Sequence, residues 1–300
     1  MDFRYSSIRK GILLAGGKGR RLAPLTNTLS KQLMPVYDKP MIYYPITNLM
    51  LCGIKEILVI SDSMNINLFK NLLGDGSQWG MKISYEIQEK PEGIAHAISL
   101  GERFIDKCNL TVALGDNIFH GNEFVNLMRS ADSISKGSTI LAYPVRDPKE
   151  YGVLKFDQSG NVIDIEEKPE FPASQYAITG IYFYDNTVFE RIKELEISSR
   201  GEIEVTDLNR KYLDDNLLNV KIMGRGMAWL DTGTIDSLHE ASFYIKTLEH
   251  RQGLKVGSPE EVAWRQGWIN DSQLEKLAHR LSTSGYGEYL LKLLKNNYPR

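Results

Sequence analysis

The sequence predicts an α/β fold: a Rossmann-like, mostly parallel sheet flanked by helices, with an inserted small β region and a C-terminal helical appendage. Three observations carry that prediction. Short apolar runs alternate with amphipathic helical patterns through the first half, the signature of strands covered by helices on both faces. A hairpin pattern with a polar turn interrupts the alternation in the middle. From Thr234 onward the periodicity is helical throughout. The expected organisation is a core over residues 1–253 and an appendage over 254–300.

Residues 12–15, 57–60, 110–114 and 139–143 are short apolar runs and read as buried strands. Between them, residues 41–51 and 65–73 read as helices that stop at Gly53 and Gly74, a common helix-ending residue. Residues 93–104 form a third helical pattern. Residues 151–156 and 162–166 flank Asp157-Gln158-Ser159-Gly160-Asn161 and read as the hairpin. Residues 177–184 and 219–223 read as strands, with 191–195 and 205–215 as helices. The tail predicts helices over 237–251, 259–266, 272–281 and 286–295. In such folds ligands bind beyond the carboxyl ends of the strands, so the loops there are the places to look.

Composition narrows the function. The 300 residues are 42% hydrophobic and 25% charged, with 36 Lys/Arg against 38 Asp/Glu and a formal net charge of −2. That balance excludes a protein that coats nucleic acid. The charge is nevertheless segregated. Residues 1–40 hold eight Lys/Arg and two acids; the other 260 hold 28 and 36. The cationic segment points to a small phosphorylated ligand. Cys52 and Cys108 cannot form a disulfide framework and read as small buried hydrophobes. No Cys/His cluster has zinc spacing, and no apolar run is long enough for a membrane span. The expectation is a soluble cytoplasmic protein with no nucleic-acid or membrane partner.

The first strand runs into Ala15-Gly16-Gly17-Lys18-Gly19-Arg20-Arg21-Leu22. Gly16, Gly17 and Gly19 let backbone N–H groups approach a phosphate closely. Two known templates fail here. Leu22 occupies the third glycine of a dinucleotide fingerprint, and Gly19 follows Lys18 where a P-loop needs Ser or Thr.

The loop, followed by Ser30-Lys31-Gln32-Leu33-Met34-Pro35-Val36, resembles the signature of sugar-1-phosphate nucleotidyltransferases. Tyr37-Asp38-Lys39-Pro40-Met41-Ile42-Tyr43-Tyr44-Pro45 is similar to the bacterial glucose-1-phosphate thymidylyltransferases within that family. Matching strings follow in order: Leu114-Gly115-Asp116-Asn117, Tyr151-Gly152-Val153, Glu166-Glu167-Lys168-Pro169, Thr179-Gly180, Arg200-Gly201-Glu202 and Trp229-Leu230-Asp231-Thr232-Gly233-Thr234. The resemblance covers nearly the whole chain.

It implies a reaction between dTTP and glucose 1-phosphate that gives dTDP-glucose and pyrophosphate, a first step toward dTDP-rhamnose or related deoxysugars. Both reactants are anions, so such a site must supply position and positive charge. By resemblance, Arg21 holds the triphosphate and stabilises departing pyrophosphate, Lys31 lies near the phosphates, and Lys168 takes the sugar phosphate. Asp116 and Asp231, each after a predicted strand, would hold Mg2+; magnesium is commonly bound by one or two carboxylates plus substrate phosphates. Gln32, Gln88 and Gly93 would contact the nucleoside with Gly16, Gly17 and Gly19. Asn117, Gly152, Glu167, Thr179 and Tyr182 would line the sugar pocket. The family also implies a homotetramer and a regulatory nucleotide site, here Gly121, Arg225, Lys255, Glu261 and Arg265.

The sequence departs from the family at several places. Arg20 stands where Thr is usual, Glu92 where Asp is, His96 where Gln is common and His120 where an aromatic residue is. Val125 and Asn126 are less polar or less charged than usual near the regulatory residues. None of these removes a charge the chemistry needs. The rival readings are a uridylyl-, adenylyl- or cytidylyltransferase of the same superfamily, a non-catalytic sugar-nucleotide sensor and a nicotinamide oxidoreductase.

Overall fold

A computed structural model describes residues 9–17 and 19–295. Lys18 of the glycine loop, Arg4 and the last five residues of the expected appendage lie outside the described residues. In chain order the strands are β1 (Arg9–Leu14), β2 (Pro35–Val36), β3 (Lys39–Pro40), β4 (Glu56–Ser61), β5 (Lys82–Ile87), β6 (Asn109–Leu114), β7 (Asn117–His120), β8 (Ser138–Pro144), β9 (Gly152–Phe156), β10 (Val162–Glu167), β11 (Tyr176–Tyr184), β12 (Leu218–Ile222) and β13 (Ala228–Asp231). The helices are α1 (Tyr43–Leu51), α2 (Ile66–Leu73), α3 (Ile94–Ser99), α4 (Glu102–Ile105), α5 (Phe124–Asp132), α6 (Val188–Lys193), α7 (Val205–Asp214), α8 (Ile235–Gln252), α9 (Pro259–Arg265), α10 (Asp271–Arg280) and α11 (Gly285–Lys295).

Nine strands form the central sheet. β1 lies between β4 and β6, parallel to both, and β5 continues the parallel half beyond β4. β11 joins antiparallel to β6 and carries the second half: β8, the β9–β10 hairpin, and β12 parallel to β8. Neighbouring residues of one strand enter different cores. Leu13, Val59 and Ala113 pack on one face, while Ile12, Leu58 and Val112 pack on the other. Burial on both faces explains why these strands read as unbroken apolar runs.

α1, α5 and α9–α11 cover one face; α3, α6 and α7 cover the other. The C-terminal helices are continuous with the first of these cores. Trp264, Leu274, Tyr286 and Leu290 share it with Ile46, Leu49 and Trp79. The helix read over 93–104 is two helices, because Gly101 N–H donates to Ile98 O at 2.9 Å, a tighter closure that ends α3. The helix read over 191–195 begins at Val188. Asp185 Oδ1 accepts both Thr187 N–H and Thr187 Oγ1–H and turns the chain into α6.

Outside the main sheet, β7 and β13 pair antiparallel with Asn117 opposite Asp231. That register brings together the two loops that carry the expected metal ligands.

Candidate active site

The site lies beyond the carboxyl ends of β1 and β6, as parallel sheets favour. β1 leads into the glycine loop, where Ala15 N–H bonds Ile60 O at 2.8 Å. A single 3-10 turn over Arg20–Leu22 closes the loop, with Leu22 N–H donating to Gly19 O at 2.8 Å. Leu22 is buried and anchors this turn, while Arg21 beside it lines the second of two adjoining cavities. Gly19 O also accepts Thr26 Oγ1–H at 3.0 Å.

Two adjoining cavities meet at Asp116. The first, of about 230 Å3, is lined by Gly16, Gly17, Gln32, Gln88 and Gly93. The second, of about 240 Å3, is lined by Arg21, Asp231, Lys168 and the five residues expected in the sugar pocket. Ile94, Leu114, Asp116 and Glu202 border both.

In the first cavity the glutamines are fixed. Gln32 Nε2 donates to Gly16 O at 3.0 Å, and its Oε1 accepts Ser30 Oγ–H at 2.6 Å. Gln88 Nε2 lies 3.3 Å from Gly93 O and 3.1 Å from His96 Nδ1. His96 therefore orients a glutamine at the cavity wall. Gly93 has φ +107°, and a methyl group there would lie 2.4 Å from Ile203 O. Only glycine fits that close approach.

At the junction, Lys31 Nζ donates to Asp116 Oδ2 at 2.6 Å, and Asn117 Nδ2 donates to Oδ1 at 2.8 Å. Burial alone would raise the Asp116 carboxyl; the Lys31 ammonium and these hydrogen bonds bring it below its ordinary value. Asp231 responds in the opposite direction. Burial and the Asp116 charge push it up to about 6, against the pull of Lys31, Arg21 and Lys168. Thr232 ties the loops together, its Oγ1–H donating to Asp116 O at 2.8 Å. A methyl at Gly233 would sit 3.0 Å from Arg21 Nη2 and 3.1 Å from Asp231 Oδ2, so that guanidinium and carboxylate share one side of the backbone. Arg21 Nη1 also meets Glu150 Oε2 at 3.2 Å.

In the second cavity, Lys168 takes a positive φ of +44°, unusual for a side chain, and its N–H donates to Tyr151 O at 3.0 Å. Backbone strain of this kind clusters at working sites. Glu167 Oε2 accepts Thr206 Oγ1–H at 2.5 Å, and Oε1 accepts Arg200 Nη1–H at 3.1 Å. The Thr179 and Tyr182 side chains are buried in the cavity wall. Asn117 lines the cavity, but its amide is turned inward: Oδ1 accepts Gly180 N–H at 3.1 Å and Trp229 Nε1–H at 2.6 Å.

Sequence reasoning missed Arg200, Tyr151 and Trp229. All three line the second cavity, and the Tyr151 and Trp229 rings lie 5.0 Å apart. Burial, then the Asp231 charge, pushes the Tyr151 hydroxyl up to about 12. The Arg200-Gly201-Glu202 and Tyr151-Gly152-Val153 strings were the available signal for Arg200 and Tyr151. In the Tyr37-Asp38-Lys39 string, Lys39 Nζ bonds Glu249 Oε1 at 2.8 Å, and Lys39 lines neither cavity.

The expected regulatory residues divide. Gly121, Lys255, Glu261 and Arg265 line a separate cavity of about 510 Å3 between α1, β7 and α9, with His120 and Val125. Arg225 is exposed and lies outside that lining. Lys255 pairs with Asp38 and, at 3.0 Å, with Glu249 Oε2; Glu261 pairs with Arg265 at 2.8 Å and accepts Tyr289 O–H.

This fold, with its paired carboxylates and cations between two cavities, is that of a phosphate-transferring α/β enzyme, and residues 10–247 match the nucleotidyl transferase family. The chain belongs to that family. A glucose-1-phosphate thymidylyltransferase of Neisseria meningitidis serogroup A is 51% identical to it over 286 residues, 95% of this chain and 99% of that one. A Bacillus anthracis protein described as a glucose-1-phosphate thymidylyltransferase, solved in complex with a sucrose, superposes with a TM-score of 0.73 at 40% identity, covering 79% of this chain and 94% of that one. A UDP-glucose pyrophosphorylase complexed with UDP-glucose gives 0.71 at 24% identity over 80% and 99%, a likeness of fold alone.

Proposed function

We propose that the chain joins dTTP and glucose 1-phosphate, giving dTDP-glucose and pyrophosphate. One observation carries this reading: Asp116 lies where the two cavities meet, bonded to Lys31, with Asp231, Arg21 and Lys168 beside it in the second cavity. The relatives' shared activity supports the choice of substrates.

A sugar-phosphate oxygen forms the new bond to the α-phosphorus as the bond to the β-phosphate oxygen breaks, its electron pair leaving with pyrophosphate. Lys168 holds the sugar phosphate, and Glu167, fixed by Thr206 and Arg200, meets sugar hydroxyls. Gln32, Gln88 and Gly93 seat the nucleoside. Arg21 neutralises the departing pyrophosphate, its planar fork suited to two phosphate oxygens.

A divalent cation, Mg2+ in this proposal, fits the carboxylate pair. Asp231 is raised by burial and then by the Asp116 charge, a repulsion that a divalent ion relieves. Among the described residues no group of three His, Cys, Asp or Glu gathers as a complete cage, which suits an ion that shares substrate phosphates. Asp116 and Asp231 would hold it, and it would supply charge stabilisation at the α-phosphate.

Pyrophosphate release across dTTP, UTP, CTP and ATP with several sugar 1-phosphates tests the proposal. Highest kcat/KM with dTTP and glucose 1-phosphate is expected. Preference for UTP overturns the thymidylyl reading, and absence of turnover favours a sensor. The 510 Å3 cavity supports a feedback site for the product sugar nucleotide, readable as inhibition not competitive with either substrate. By family resemblance we also propose a homotetramer, measurable by light scattering.

A further inference from the structure

We propose that Glu150 sets the selectivity of the site for the triphosphate end of the nucleotide by holding Arg21 as a counter-ion that the ligand must displace. This rests on the reading of Arg21 as the pyrophosphate cation.

Arg21 stands between two carboxylates. Its Nη1 meets Glu150 Oε2 at 3.2 Å, and its Nη2 lies on the Asp231 side, beside Gly233. The two differ in what they are anchored to. Asp231 is a half-buried strand-end residue in register with Asn117. Glu150 projects from the loop between β8 and β9, with its side chain 63% exposed and that of Arg21 53% exposed. The pair is therefore solvated and weak, the kind that contributes at most about five-fold to an equilibrium. An anion carrying several charges and a matching pair of oxygens outcompetes one carboxylate for a guanidinium. A singly charged end gains little over the bond it replaces.

The loop is also wired to the chemistry. Tyr151, next in sequence, accepts Lys168 N–H through its carbonyl at 3.0 Å, and its hydroxyl lies in the field of Asp231. Freeing Glu150 from Arg21 thus acts on the segment that carries these two links to the site. Among the described residues, Glu150 is the acid of the second cavity ion-paired with Arg21, while Glu167, Glu202 and Glu204 surround Arg200.

The test uses the full chain and inorganic pyrophosphate, with binding measured by titration calorimetry. Glu150→Gln keeps the shape and removes the charge. It is expected to tighten pyrophosphate binding and lower the dTTP KM by about two- to five-fold, with the gain fading at high salt. Glu150→Asp retains the charge and is expected to bind pyrophosphate more weakly than Glu150→Gln. A merely structural role cannot produce tighter binding on removal. Unchanged or weaker pyrophosphate binding by Glu150→Gln, in a protein that turns over substrate, overturns this inference and leaves the proposed function standing. Failure of the unsubstituted chain to bind pyrophosphate or turn over any substrate pair overturns both.

Discussion

Asp231 is where the site's electrostatics are most exposed to measurement. Its folded pKa of about 6 lies above the ordinary 3.8, so the fold favours the protonated acid. That stability is present below pH 4 and is lost as pH rises through about 6. In metal-free buffer, Asp231→Asn is therefore expected to melt about 2–4 °C higher than the parent chain at pH 8, with the gain vanishing toward pH 4. The same substitution is expected to lower turnover by about a hundred-fold or more, because the carboxylate pair is broken. An acid-independent melting difference, or near-normal turnover, contradicts the role. Gly93 makes a steric claim. Gly93→Ala forces a methyl toward Ile203 O at a position with φ +107°, and a loss of about 1–3 kcal/mol is expected. Since Gln88 Nε2 leans on Gly93 O, the nucleotide KM should rise more than kcat falls; steady-state kinetics separate the two.

Among the elements, α8 shows how local chemistry aims the site. It starts four residues after β13 delivers Asp231, and Thr234 caps it. Thr234 Oγ1 accepts Ser237 N–H at 3.2 Å, and Ser237 Oγ returns a bond to Thr234 N–H at 2.9 Å. Thr234→Ala removes one half of that box and is expected to destabilise the chain by about 1 kcal/mol, visible as a lower urea midpoint with unchanged slope. β1 and β6 were legible because strands buried on both faces must be apolar throughout. β5, which alternates Lys82-Ile83-Ser84-Tyr85-Glu86-Ile87 at the sheet edge, carries no such run. β7 is four residues long and is held by its pairing with β13, a partner more than a hundred residues away.

At the scale of the whole molecule, a buried charge network outside the two site cavities links segments distant in sequence. Lys39, its side chain 2% exposed, bridges Asp38 at 2.5 Å and Glu249 at 2.8 Å, and Lys255 meets the same two acids. The network joins the β2–β3 hairpin to the end of α8 and the segment leading to α9. Lys39→Met strands two acids on one remaining cation and is expected to cost about 3 kcal/mol. Adding Glu249→Gln should recover part of it, a coupling that a double-mutant cycle reads directly. Additive losses would show that the two residues do not act on one another.

The sequence by itself determined the strands buried on both faces, the C-terminal run of helices, the glycine loop, and the strings around Arg21, Lys31, Asp116, Lys168 and Asp231. These are local properties: apolar periodicity, turn residues, and side-chain types at fixed spacing. Only the tertiary structure decided that Asp116 and Asp231 share a field that drives their carboxyls in opposite directions. It also turned the Asn117 amide toward Trp229 and Gly180, placed Glu150 on Arg21, and left Arg225 outside the second cavity. The reason is physical. Charge, burial and hydrogen-bond satisfaction depend on distance in space, and these partners are brought together by sheet register and loop closure across up to 129 residues of chain.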